Sequence, residues 1–71
     1  MKVIYDTETD IITLILREEM ISESDEVREG IIIDYNKEGK IVSIEILDAS
    51  EQVFEPQGIS YEVKGKEKVV A

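Results

Sequence analysis

Residues 34–45 hold the pattern in this sequence that comes nearest to a metal-binding motif. Oxygen-bearing side chains stand at positions one, three, five and twelve of the segment, with glycine at position six and an aliphatic residue at position eight. These side chains belong to Asp34, Asn36, Glu38 and Glu45. The spacing departs from the calcium loop of EF-hands in having glutamate at position five, and oxygen ligands so spaced can wrap a hard cation. Weak calcium binding by this loop is therefore one hypothesis for function.

The segments on either side of this loop favour a different structure. An EF-hand requires an amphipathic helix on each side. Here residues 31–33 are three consecutive isoleucines and residues 42–46 alternate between apolar and polar, which is typical of β-strands. Gly39 can take the positive φ that a tight loop between two strands needs. The sequence therefore predicts a β-hairpin, in which Asp34 and Glu45 lie close together on one face.

Composition restricts the enzymatic chemistry that is available. The chain contains no histidine and no cysteine, which removes the usual general base, the commonest metal ligand and any thiolate metal site. Asp34 and Glu45 could form an acid/base pair, but such a pair needs a cleft that raises one pKa, and so small a domain offers little room. The five serines have no histidine to activate them. We expect no enzymatic activity, no catalytic residue and no cofactor.

Length and charge restrict the other classes of function. A chain of 71 residues makes one domain that buries only about 60% of its unfolded surface, so self-association would add to its core. Its net charge of −9 repels phosphate backbones and permits a basic protein partner, so we expect no binding to nucleic acid. No apolar run approaches the roughly 20 residues of a membrane span, and no signal-peptide pattern is present. The expectation is a cytoplasmic protein without a membrane partner.

Alternating apolar residues predict a mainly β (α+β) fold, an antiparallel meander built from two β-hairpins. Strands are expected over residues 2–6, 11–17, 21–27, 30–35 and 40–47, followed by a short helix over 49–54 and a last strand over 59–63. Asp48 or Ser50 can cap the helix, and Pro56 prevents its long continuation. A single domain is predicted over residues 1–63, with residues 64–71 as a flexible tail.

The predicted register places apolar residues on both faces of the sheet. Tyr5 is expected opposite Ile12 in the first hairpin, and Ile33 opposite Val42 in the second, which also places Ile31 opposite Ile44. One face, called the first face below, then holds Met1, Val3, Tyr5, Ile12, Leu14, Leu16, Ile31, Ile33, Tyr35, Val42, Ile44 and Ile46. The opposite, second face holds Ile4, Ile11, Ile15, Ile32, Ile41 and Leu47. Because the C-terminal segment can cover only one face, we expect the second face to form a homodimer.

An acidic stretch precedes the central hairpin. Glu23, Asp25 and Glu26 lie on the third strand, which is expected at an edge of the sheet, where charge discourages pairing with other chains. The stretch is either a solvated edge or a docking strip for a basic partner. We interpret the protein as a small acidic interaction module, comparable in size and charge with antitoxins that neutralise a basic partner. A self-assembling structural protein is a further alternative.

Several of these residues also carry a resemblance to a known family. They are Tyr5, Asp6, Asp10, Gly30, Asp34, Tyr35, Gly39 and residues 44–50, which end in Leu47-Asp48-Ala49-Ser50. The pattern resembles small prokaryotic proteins catalogued as domain of unknown function 2283, over residues 1–53. Thr7, Asn36 and Ser43 stand where that family often has proline, aspartate and glycine. The resemblance implies a small β-rich domain of unassigned activity, and it carries over no catalytic or binding residue.

Overall fold

One antiparallel sheet makes up most of the protein. The structure is a computed structural model and describes residues 1–65. Its elements are β1 (Lys2–Asp6), β2 (Ile11–Ile15), β3 (Glu23–Arg28), β4 (Ile31–Tyr35), β5 (Ile41–Leu47) and α1 (Ala49–Gln52). All strand pairs are antiparallel, which confirms the mainly β prediction and both predicted hairpins.

Some of the predicted bounds were wrong. β2 ends at Ile15 because the next two residues leave the ladder, and α1 ends at Gln52 instead of residue 54. Residues 59–63 form no strand; they are exposed and irregular. Residues 66–71 of the predicted tail lie outside the described residues. Within residues 1–65 no helix combines the length and the apolar character that crossing a membrane requires.

The strand order is β1-β2-β5-β4-β3, so the chain is not a simple meander. A meander would place β3 beside β2, whereas β5 lies between β2 and β4. β5 carries apolar residues on both faces, so a central position buries the most apolar surface of this strand. The polar β3 suits an edge. Residues 16–22 therefore cross the end of the sheet. The amides of Leu16 and Arg17 bind the Val42 carbonyl at 2.8 and 3.2 Å, and the Ser22 amide binds the Tyr35 carbonyl at 2.7 Å.

The register of the first hairpin is as predicted, with Tyr5 opposite Ile12. In the second hairpin Ile33 lies opposite Ile44 and Ile31 opposite Ile46, so the predicted partners Val42 and Ile44 were wrong by two residues. Because side chains alternate with a period of two, an even shift leaves each strand's faces unchanged. The assignment of Ile31 and Ile33 to the first face therefore holds.

The turn of this hairpin explains the shift. The Asn36 amide binds the Lys40 carbonyl at 2.9 Å, so the turn runs one residue longer than predicted, and Gly39 has a φ of 83°. A β-bulge follows, because Asp34 pairs with Ser43 while Tyr35 pairs with Ile41. Each irregularity moves the pairing by one residue. The bulge also interrupts the alternation at Ile41, so alternation no longer assigns Ile41 to the second face.

No second layer covers the sheet within residues 1–65. The C-terminal segment reaches only the β1 side of the first face, where residues 55–59 lie beside Val3 and Tyr5. Phe54 and Ile59 are 91% and 72% exposed. The radius of gyration is 14.3 Å, against about 11 Å for a compact chain of this length. The expected cover over one face is therefore missing from the described residues, although Ile12 and Val42 are buried within the sheet, at 7% and 3% exposure.

Candidate functional site

A buried carboxylate lies at the centre of the second face. Asp34, on β4, is 2% exposed and stands directly between Ser24 of β3 and Ser43 of β5. The Ser24 hydroxyl donates to Oδ1 of Asp34 and the Ser43 hydroxyl to Oδ2, each at 2.6 Å. A buried charge is costly unless hydrogen bonds satisfy it. Both oxygens are satisfied here, and the three side chains connect three neighbouring strands.

Glu45 is the fourth member of this cluster. It lies on β5 opposite Ile32, on the same face as Asp34, as the hairpin predicts. The hydrogen bond to Asp34, together with burial and the Asp34 charge, raises the pKa of Glu45 above its ordinary value. Burial is the largest influence on Asp34 and raises its pKa, but hydrogen bonds from Ser24, Ser43 and Glu45 together lower that pKa below its ordinary value. The pair therefore divides into an Asp34 carboxylate and a Glu45 that retains its proton more strongly.

Two carboxyl groups with opposite pKa shifts form the pattern of an acid/base pair. Glu45 borders an open groove, whose other walls are formed by Thr13, Ile15 and residues 17–21 of the crossing connection. Asp34 is shielded from that groove by its burial, and the two serines occupy its oxygens. The arrangement is suited to holding a proton between β4 and β5 and to fixing the edge strand β3.

The carboxyl pair predicts how stability depends on pH. Glu45, with a raised pKa, stabilises the fold fully below its unfolded pKa of about 4.3 and loses that contribution as pH rises through the folded pKa. Asp34, with a lowered pKa, stabilises the fold above about 3.9 and loses its contribution as pH falls through the folded pKa. In Glu45→Gln the amide can donate to Asp34 at every pH. We expect the melting temperature of this variant to decline less than that of the wild type between pH 5 and pH 8.

Glu38→Gln is the matched control, since it removes one charge from the exposed turn. It should follow the wild-type pH dependence in the same thermal scans. Each kcal/mol of difference in the free energy of unfolding shifts the melting temperature by about 4–8 °C in a domain of this size. Even a partial loss of the contribution of Glu45 is therefore measurable. Parallel pH curves for wild type and Glu45→Gln would show that the pair does not share a proton.

The four side chains of the calcium hypothesis are not brought together. Asn36 uses its side-chain oxygen to accept the amides of Glu38 and Lys40, both at 2.9 Å, and its amide nitrogen donates to Glu19. Glu38 is exposed on the turn, away from the buried Asp34. Residues 1–65 contain no group of three His, Cys, Asp or Glu side chains that could hold a metal ion. The loop is therefore built as a turn and its oxygens serve the turn's own amides.

A second polar cluster joins the helix to the first hairpin. The hydroxyl of Tyr5 donates to Asp10 Oδ1 at 2.7 Å. The amide and hydroxyl of Ser50 donate to Oδ1 and Oδ2 of Asp10 at 3.0 and 2.7 Å. The bonds from Ser50 and Tyr5 lower the pKa of Asp10, and the bond to Asp10 raises that of Tyr5. The cluster fixes the end of β5 against the β1–β2 turn.

The predicted helix cap was wrong. Asp48 stands at the N-cap of α1 with a φ of 51°, but its side chain makes no capping bond. The Ser50 hydroxyl binds Asp10 instead. Ser24 and Ser43 were considered in the sequence only as nucleophiles, and Ser50 also as a helix cap, so their roles as hydrogen-bond donors to Asp34 and Asp10 were missed. Cross-strand register could have indicated Ser24 and Ser43, whereas the contact of Ser50 spans 40 residues and leaves no local signal.

The three acids proposed for partner binding lie on the edge strand, as predicted. All six residues of β3 are exposed. Glu23 pairs with Tyr35 and Asp25 with Ile33, so both side chains border the first face, whereas Glu26 pairs with Ile32 and borders the second. Glu26 also accepts the Gly30 amide at 3.1 Å. The edge therefore carries carboxylates on both sides of the sheet.

The two faces differ in polarity. The second face holds Ile4, Ile11, Ile15 and Ile32 of the predicted self-association set, around a polar centre formed by Thr13, Asp34, Ser43 and Glu45. On β1, β2, β4 and β5 the regularly paired residues of the first face are Val3, Tyr5, Ile12, Leu14, Ile31, Ile33, Ile44 and Ile46. None of these is charged. The role of the second face in self-association stays a prediction, and the first face is the more apolar of the two.

Comparison with known proteins places the chain in a family. A family model described as a protein of unknown function (DUF2283) matches residues 2–50, which include all five strands. The chain belongs to the DUF2283 family. No curated protein and no solved structure matches it significantly. The DUF2283 match confirms the resemblance seen in the sequence, and it spans both polar clusters.

Proposed function

We propose that this DUF2283 protein is a protein-interaction module without catalytic activity, and that β3 binds a basic protein partner. The observation that carries the proposal is the exposure of all six residues of a strand at the edge of the sheet. An edge strand presents unpaired backbone groups to which an extended segment of another protein can add. The hydrogen-bonded ladder to β4 and the Asp34 cluster hold this edge in place.

The negative charge of the β3 edge favours a positively charged partner. Glu23, Asp25 and Glu26 stand along the edge, and the whole chain carries a net charge of −9. A segment with lysine or arginine side chains would match this edge on both sides of the sheet, and complementary charge mainly raises the rate of association. Such a module resembles small antitoxins, which occupy a basic partner without chemistry of their own. The carboxyl pair at Asp34 supports this view, since its oxygens serve the sheet itself.

The proposal is tested with three baits in a lysate of the source cell. One bait is the wild type, the second carries E23Q, D25N and E26Q, and the third carries E8Q, E38Q and E51Q. Both variants lose three exposed acids and reach the same net charge, but only the first changes β3. We expect a basic protein to be retained by wild type and control and lost by the β3 variant. Its affinity should fall as salt rises, because salt at 0.1 M screens exposed charges beyond about 10 Å.

Equal retention by both charge variants would show that β3 is only a solvated edge. A partner whose affinity ignores salt would also contradict the proposal. For the captured protein, purified and measured by surface plasmon resonance, the β3 variant should slow association more than it accelerates dissociation.

A further inference from the structure

The surface area of the chain is large for its mass. The accessible surface is 6111 Å² for 8.1 kDa, whereas a folded monomer of that mass exposes about 4,500 Å². The excess is therefore about 1,600 Å². The molecule is only 19 Å thick along its shortest axis. A single sheet of this thickness corresponds to one layer of a two-layer β-sandwich.

We infer that two copies of the chain pack first face against first face, as a two-layer β-sandwich with two-fold symmetry. This surface is distinct from the β3 edge, so the inference goes beyond the proposed function. Two-fold symmetry brings the same patch of each copy into contact. The centre of the first face carries no charge, so packing its isoleucines against their counterparts buries no ion. Sheets that pack face to face lie about 10 Å apart with interdigitated side chains.

The size of the face suits a second copy. Five strands about 4.8 Å apart, with five to seven residues of about 3.4 Å each, give a face of about 24 by 20 Å. The accessible area of protruding side chains exceeds this flat projection. Ile59 and Tyr61, 72% and 77% exposed, add apolar area from the segment beside Val3 and Tyr5. Each copy can thus supply much of the roughly 800 Å² per partner of a stable interface.

Pairing through the second face would be less favourable. It would place Glu45 and Lys2 of each copy against the other copy and would desolvate the carboxyl cluster further. Residues 17–21, which border the groove beside Glu45, would also stand close to the other copy. In the first-face arrangement Glu23 and Asp25 remain at the border, where water can solvate them.

The charge of the chain gives the self-association a distinctive salt dependence. Each copy carries a net charge of −9, so the two copies repel one another electrostatically. Salt screens this repulsion, and the dimer should therefore tighten as salt rises. The proposed basic partner shows the opposite dependence. The dimer and the binding of a basic partner use different surfaces and respond to salt in opposite directions. Either proposal can therefore be disproved without the other.

The experiment is sedimentation equilibrium of the full chain from 1 µM to 1 mM, at 50 and 500 mM sodium chloride. The variants are Ile33→Lys on the first face and Ile32→Lys, its neighbour on β4, on the second. We expect a wild-type dimer that is tighter at high salt, a dissociation constant at least about 100-fold weaker for Ile33→Lys, and little change for Ile32→Lys. A monomer at 1 mM, a dimer weakened by salt, or a larger effect of Ile32→Lys would overturn the inference.

A measurement on the unmodified protein keeps the test valid if Ile33→Lys does not fold. Isotope-filtered NMR on a mixture of labelled and unlabelled wild-type chains detects contacts between copies. We expect these contacts from the methyl groups of Leu14 and Ile44. Contacts from Ile4 and Ile15 instead would assign the interface to the second face, and contacts from neither set would exclude both.

Discussion

Replacing Asp34 with alanine should lower the free energy of unfolding by about 3–5 kcal/mol. The variant loses two hydrogen bonds to a buried charge, each contributing about 1.5–3 kcal/mol, and leaves the Ser24 and Ser43 hydroxyls without their acceptor. A domain typically has only about 5–15 kcal/mol of stability, so little would remain. Urea unfolding at one fixed protein concentration measures the loss, because the self-association that we infer would make stability depend on concentration.

Two further variants show whether the cluster causes this loss. Asp34→Asn keeps the shape of the side chain and one acceptor oxygen, and its amide can donate to a serine hydroxyl. It should therefore lower the free energy of unfolding less than Asp34→Ala does. Asp25→Ala removes an acid from the adjacent exposed strand and should change stability by no more than about 0.5 kcal/mol. If Asp34→Ala and Asp25→Ala have equal stabilities, Asp34 does not hold the three strands together.

Replacing Ala49 with leucine should destabilise the protein by about 2–3 kcal/mol, because added methylenes in a filled site force side chains and backbone apart. Ala49 is 0% exposed at the start of α1, and its amide donates to the Asp10 carbonyl at 2.9 Å. A leucine there would lift the helix from the β1–β2 turn. The Ser50 amide, which binds Asp10, should then shift strongly in NMR spectra as urea unfolding reports the lower stability.

The same helix provides the controls for this prediction. Glu51→Leu places the same leucine side chain at an exposed position of the helix and should alter stability by no more than about 0.5 kcal/mol. Ala49→Gly removes only a methyl group and should cost about 1 kcal/mol. An Ala49→Leu protein of wild-type stability with an unmoved Ser50 amide would mean that the helix does not depend on this contact.

Strands and faces could be predicted because they depend on local alternation. The period of two in residues 2–6 and 42–46 fixes which side chains share a face, and a two-residue error in register left that assignment intact. The pairing of β5 with β2 depends on which strand gains most from a central place, a comparison across the whole chain. The turn at residues 36–40 was misjudged by one residue because the Asn36 side chain stabilises a longer loop.

The polar clusters could be predicted only in part. Asp34 and Glu45 were expected together because one hairpin contains both. Ser24 joins them through the register of β3, which local pattern does not determine, since that strand is polar on both sides. Asp10 and Ser50 are 40 residues apart and meet only after the strand order is set. Sequence therefore indicated the carboxyl pair and missed the hydroxyl groups that satisfy it.

The acidic edge strand also limits how far the sheet can grow. Strands that add to an exposed edge can continue indefinitely and form fibres. If copies of this chain joined through β3, carboxylates of neighbouring chains would stand about 4.8 Å apart, and like charges facing each other oppose such pairing. Packing through the first face, as we infer, would use that face of each copy once and form a closed pair. Charge on β3 thus favours a closed assembly of fixed size over polymerisation, while leaving the edge accessible to a chain of opposite charge.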